Sequence, residues 1–172
     1  MGTASSKKFI KNNAGTLTEE AALLTSAGAG DANRIPALDA SGRLDSSMMP
    51  TGIGADTASL PSSENLAAGD LVNVWNDAGT AKVRKADATT AGKEAHGFVL
   101  AAVTSPANAT VYFEGTNAQV TSLTAGPLFL GTTAGTCVST APSGSGNVVQ
   151  RVGLATAAAS MNFEAGQPIV LA

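Results

Sequence analysis

One cysteine, Cys137, and one histidine, His96, are all that a chain of 172 residues offers to thiol or imidazole chemistry. A single thiol cannot close an intrachain disulfide, so the fold must hold by burial, and the redox compartment stays open. Without a second histidine or cysteine, zinc sites and the Cys–His or Ser–His systems of nucleophilic catalysis fall away. His96 itself heads the most apolar run of the chain, where packing or turn stabilisation suits it better than catalysis. Charge is equally scarce, at 13% of residues with a formal net of −3. That balance gives nucleic acid no basic face. The nearest candidate, Lys7, Lys8 and Lys11, reads as a solvated tail because only Phe9 is interleaved to stack on a base.

Aromatic residues make up 4% of the chain, too few to line a sugar-cleaving groove. Such an enzyme also needs paired carboxylates. The acids Glu64, Asp70, Asp77, Asp87, Glu94, Glu114 and Glu164 mostly fall beside Gly or Asn in predicted turns. Trp75 and Tyr112 suit a core or an interface, with a sugar-stacking platform as the alternative. Gly28, Gly30, Gly52 and Gly54 precede no helical pattern, so none opens a phosphate-cradling loop. No apolar run approaches the ~20 residues of a membrane span, and no signal-peptide pattern stands out. The expectation is a soluble protein made in the cytosol, with no catalytic, cofactor or metal residues.

What the chain does have is a procession of short Val-, Leu- and Thr-rich runs, each closed by Gly, Asn, Asp or Pro. The clearest cover residues 71–75, 81–86, 97–103, 109–113, 148–155 and 168–171. Their length and spacing predict strands, with no long helical pattern between them. The fold class predicted is all-β, a small antiparallel barrel or sandwich over residues 64–172. A domain of that size buries about two-thirds of the surface its unfolded chain exposes, enough to stand without metal or disulfide. Asn76-Asp77-Ala78-Gly79 should reverse the chain between the first two runs. Residues 95–103 are continuously apolar, as in a strand buried on both faces. The apolar residues 169–171 should be tied into a sheet.

Residues 1–63 read differently, as an extended N-terminal arm and linker. Asn12-Asn13-Ala14-Gly15 predicts a hairpin turn, against a competing capping box at Thr16-Leu17-Thr18-Glu19. A helix that short would be marginal, which favours the extended form. Further on, Ile35, Leu38, Leu44, Met48 and Met49 recur within a proline-broken stretch that cannot form one amphipathic helix. Together with Phe9 and Ile10 they are candidate anchors for grooves on another surface, the alternative being that they fold back on their own β domain. Asp39-Ala40-Ser41-Gly42-Arg43-Leu44-Asp45 lacks the acidic positions of a calcium loop and reads as an Asx turn.

Two sets of residues carry a family resemblance. The run Ile35-Pro36-Ala37-Leu38-Asp39-Ala40-Ser41-Gly42-Arg43-Leu44-Asp45-Ser46-Ser47-Met48-Met49-Pro50 resembles a segment that recurs in head-decorating and fibre proteins of tailed bacteriophages. Ala68-Gly69-Asp70-Leu71-Val72-Asn73-Val74, Lys82-Val83-Arg84-Lys85-Ala86-Asp87-Ala88, Ala95-His96-Gly97-Phe98-Val99-Leu100, Gly144-Ser145-Gly146-Asn147-Val148-Val149-Gln150-Arg151-Val152-Gly153 and Pro168-Ile169-Val170-Leu171-Ala172 are similar to capsid decoration (cement) and head-fibre proteins. The resemblance implies a non-enzymatic virion protein, often a homotrimer, that sits on the outer capsid surface and clamps neighbouring major capsid subunits. Its partner would be the phage major capsid protein, with neither nucleic acid nor membrane involved. The alternative is a head-fibre or tail-fibre domain of adhesin type that touches host surface glycans. Missing heptads and shaft repeats stand against a tail fibre.

Overall fold

The computed structural model describes residues 2–49 and 54–172. Pro50, which ends the anchoring segment, and Gly52, one of the glycines that precede no helix, lie outside the described residues. The chain divides into two compact units, Met1–Gly54 and Ala55–Ala172. Among the described residues no helix reaches seven residues, and every ladder between strands is antiparallel.

In the N-terminal unit, β1 (Ala4–Asn13) and β2 (Thr16–Leu23) form a hairpin. Ala14 and Gly15 both take positive φ, 50° and 93°, the pattern of a type I′ turn that matches the twist of paired strands. Asn12 Oδ1 accepts from Gly15 N at 2.7 Å and closes the turn. The capping-box helix loses because the ladder already satisfies these main-chain groups. The expected extended arm is not confirmed: the chain after β2 folds back on its own strand. Leu23 N donates to Ile35 O and Ala37 N to Leu23 O, an added parallel bridge that buries Ala22 and Leu23. Two 3-10 turns, Ala29–Asp31 and Ser46–Met48, punctuate the return. Asp39 Oδ1 accepts from Ser41 N and Arg43 N, which is the Asx turn expected of that loop.

The C-terminal unit is a two-sheet sandwich, and neither sheet closes into a barrel. One sheet takes β3 (Thr57–Pro61), β7 (Asn108–Tyr112), β6 (Gly97–Val99), β4 (Leu71–Asp77) and β5 (Thr80–Lys85), in that spatial order. The other takes β10 (Cys137–Val138), β9 (Gly126–Leu130), β12 (Arg151–Ala157), β13 (Ser160–Phe163) and β8 (Gly115–Asn117). A third pair joins β11 (Val148–Val149) to β14 (Ile169–Val170). Consecutive residues of β4 and β6 point to opposite faces, so both faces of the first sheet are used. Leu71 and Phe98 meet Leu128, Leu130, Val152, Met161 and Phe163 between the sheets. Val72, Val83, Val99, Ala109 and Val111 form a second core on the far face, under Leu60, Leu66 and Phe113. Ala78 and Gly79, at φ 50° and 91°, turn β4 into β5, and Asn76 Oδ1 caps Gly79 N as Asn12 caps Gly15.

Several expectations shift. The unit starts at Ala55 rather than Glu64, because β3 pairs with β7 along its whole length. The predicted run 97–103 ends as a strand at Val99: Ala101 and Ala102 are exposed, and Val103 returns only to bridge Leu66. Alanine methyls lose little by facing water, so nothing holds that stretch in the ladder. The run 148–155 splits at Gln150, whose buried amide bonds Ala95 N, Ala95 O and Gly166 O. The final strand is paired but not buried, Ile169 being 63% exposed.

Candidate docking surface

The hairpin register sorts its side chains onto two faces. Lys8 lies opposite Ala21, Ile10 opposite Glu19 and Asn12 opposite Leu17; Phe9, Lys11, Thr18 and Glu20 take the other face. Ile10 and Leu17 are therefore diagonal neighbours, and they are 73% and 72% exposed. Lys8 Nζ meets Glu19 Oε2 at 2.8 Å beside them, so the apolar pair is rimmed by an exposed ion pair. On the opposite face Glu20 is held by Lys11 at 2.7 Å and by Arg34 at 2.9 Å. Those bonds, the one to Lys11 foremost, lower the Glu20 carboxyl from its ordinary value. Both faces of the hairpin thus carry ion pairs, and one of them also presents the uncovered Ile10 and Leu17.

Of the seven predicted anchors, Phe9, Ile10, Leu38, Leu44 and Met49 are exposed, while Ile35 and Met48 are half-buried. Met48 lines a cavity of about 220 Å³ with Leu23, Ser26, Asp31, Arg34 and Pro36. The return of the chain thus covers two anchors and leaves five open. Leu17 escaped the sequence prediction. Its signal was there in principle: across a two-residue turn, Asn12 and Leu17 must share a face, which is the face of Ile10.

The other candidates are largely engaged. Trp75 has the Arg84 guanidinium 4.7 Å from its ring centre, and its Nε1 donates to Ser63 Oγ at 3.2 Å, so one stacking face is occupied. Tyr112 stacks on Phe98 at 5.4 Å and borders a cleft of about 500 Å³ that Glu114, Thr116 and Glu164 also line. Five of the seven predicted turn acids fasten loops: Glu64 to Lys85 N, Asp70 to Ala67 N and Lys85, Asp77 to Lys82, Asp87 to Thr89, and Glu94 to Gly92 N. His96 is exposed, and its Nδ1 accepts from Val74 N at 3.1 Å, a turn-stabilising bond. Cys137 is half-buried with Sγ 3.8 Å from Met161 Sδ, and burial pushes its thiol pKa up. Among the described residues no cluster of three His, Cys, Asp or Glu side chains forms that would hold a metal, and no helix is long and apolar enough to cross a membrane. No family model, curated protein or solved structure matches the chain.

Proposed function

We propose that the chain is a non-enzymatic structural protein of a tailed-phage virion, docking on the outer capsid surface through its N-terminal unit and clamping neighbouring major capsid subunits. The observation that carries this reading is the pair Ile10 and Leu17, side by side and nearly three-quarters exposed on a hairpin whose own main chain is already bonded. A rigid, preformed apolar ridge loses little conformational freedom when it is covered, so its burial converts efficiently into affinity. Phe9, Leu38, Leu44 and Met49 extend the apolar area of the same unit. The major capsid protein is proposed as the partner on the resemblance of residues 35–50 and of the β domain to decoration proteins. A homotrimer would present three such ridges and gain by effective concentration.

The decisive experiment is sedimentation of the protein with assembled shells, with and without residues 1–54. Deletion has to stop there, because β3 belongs to the other unit. Stoichiometric binding by the full chain, lost on deletion, supports the clamp; binding that survives deletion defeats it. The glycan-contacting alternative rests on the cleft beside Tyr112, since Trp75 already carries Arg84. Glycan-array binding abolished by Tyr112→Ala would favour it.

A further inference from the structure

Two acids of the C-terminal unit take no part in holding it together. Glu114 and Glu164 are the pair among the seven turn acids that fasten no loop, and neither carboxylate has a hydrogen bond or ion pair among the described residues. The ladder between β8 and β13 brings them to one place: its last pair is Gly115 with Phe163, which Glu114 precedes and Glu164 follows. Like charges brought together across paired strands repel. Relief from within the unit is scarce. Residues 55–172 hold eight acids against five Lys and Arg residues, and Lys82, Lys85 and Arg84 are already committed to Asp77, Asp70 and the Trp75 ring.

Both acids line the same cleft of about 500 Å³. Phe98, Leu100 and Tyr112 line it too, and the Tyr112 ring is stacked on Phe98 at 5.4 Å, which fixes an aromatic wall in the cleft that holds the carboxylates. Thr116 and Asn162, opposite each other in the ladder, add exposed side-chain oxygens that can accept hydrogen bonds. Leu100 and Tyr112 also line a second hollow of about 320 Å³, so the apolar surface continues past the acids. A bare metal ion fits this lining poorly. No third His, Cys, Asp or Glu joins the pair among the described residues, and aliphatic and aromatic walls offer a hard cation no ligand. An arginine side chain matches each part: its fork of five donors can serve two carboxylates, its plane stacks on an aromatic ring, and its apolar stem can lie along Leu100.

We propose that this cleft seats an arginine side chain of a partner polypeptide, with the guanidinium shared by Glu114 and Glu164 against the Tyr112 ring. The second hollow then receives the partner's adjoining apolar residue. Every residue of the site belongs to the C-terminal unit, so the proposal stands apart from whatever surface the hairpin meets.

The test titrates the ¹⁵N-labelled full chain with the capped peptide acetyl-Gly-Arg-Gly-amide at low ionic strength. Amide shifts should centre on residues 112–116 and 162–164, and they should shrink as salt is raised, because the acids are exposed and screened. The arginine methylene protons of the peptide should move upfield, as they do when a side chain lies on an aromatic ring. Glu114→Gln combined with Glu164→Gln should weaken binding about tenfold, as the loss of two exposed ion pairs implies. The thermal midpoint of that double variant should not fall, since neither carboxylate has a bond to lose. A fall would show that the acids hold the fold and would overturn the proposal. So would an absence of shifts in the cleft, equal shifts from acetyl-Gly-Gln-Gly-amide, or a double variant that binds as the parent does. Spermidine, calcium or methyl glucoside seated there more tightly than the arginine peptide would replace the polypeptide by a polyamine, a metal or a sugar.

Discussion

Replacing Ile10 and Leu17 together by serine removes the apolar ridge without touching what braces the hairpin. Full burial of an Ile or Leu side chain is worth about 1.5–3 kcal/mol. Both are already more than a quarter covered, at 73% and 72% exposed, so roughly 1.5 kcal/mol remains for each to gain on docking. The pair then accounts for about 3 kcal/mol, or roughly a 150-fold loss of affinity at 1.4 kcal/mol per decade. Folding should change by no more than about 0.5 kcal/mol, as for other surface substitutions, since Lys8–Glu19 and the Lys11–Glu20–Arg34 network stay in place. Sedimentation of the double variant with assembled shells over a concentration series reads the affinity, and hydrogen exchange over β1 and β2 reads the fold. Leu23→Ala is the contrasting control: at 3% exposed it should destabilise the hairpin unit by about 2–5 kcal/mol. A double variant that keeps its hairpin and binds shells within threefold of the parent would refute the ridge as the docking surface.

Three further outcomes are expected. Gly153→Ala should lower the urea midpoint of the C-terminal unit by more than about 1 kcal/mol equivalent, because φ is 139° at a bulge of β12 and a Cβ would lie 2.0 Å from Asn162 O. Phe98→Ala should cost about 3–5 kcal/mol in the same assay, since it is 1% exposed and meets both Tyr112 and Phe163 in the inter-sheet core. Acid should loosen the N-terminal unit: Glu20, lowered chiefly by Lys11, and Asp31, lowered chiefly by the amide of Ala27, stabilise above their unfolded pKa values. That contribution fades as pH falls below about 4 and through the folded values, so exchange protection in β2 should drop there; protection that is flat with pH would contradict the network.

The all-β character and both tight turns were legible in the chain because their causes are local. Asn12-Asn13-Ala14-Gly15-Thr16 and Asn76-Asp77-Ala78-Gly79-Thr80 place a cap and a residue tolerant of positive φ where a two-residue hairpin needs them. Strand identity in β4, β6 and β7 follows from Val, Leu and Phe packed on short runs. Pairing between distant segments has no such local mark. β3 and β8 carry Thr, Ser, Gly and Asn, and become strands only because β7 and β13 offer them a ladder edge. The same holds for the site: seven apolar anchors could be named from sequence, but which of them are bare depends on the return of residues 31–37 against Leu23. Composition sets what can be buried; the tertiary pairing chooses which residues are, because covering one side chain with a distant segment is decided by the whole ladder and not by its neighbours in the chain.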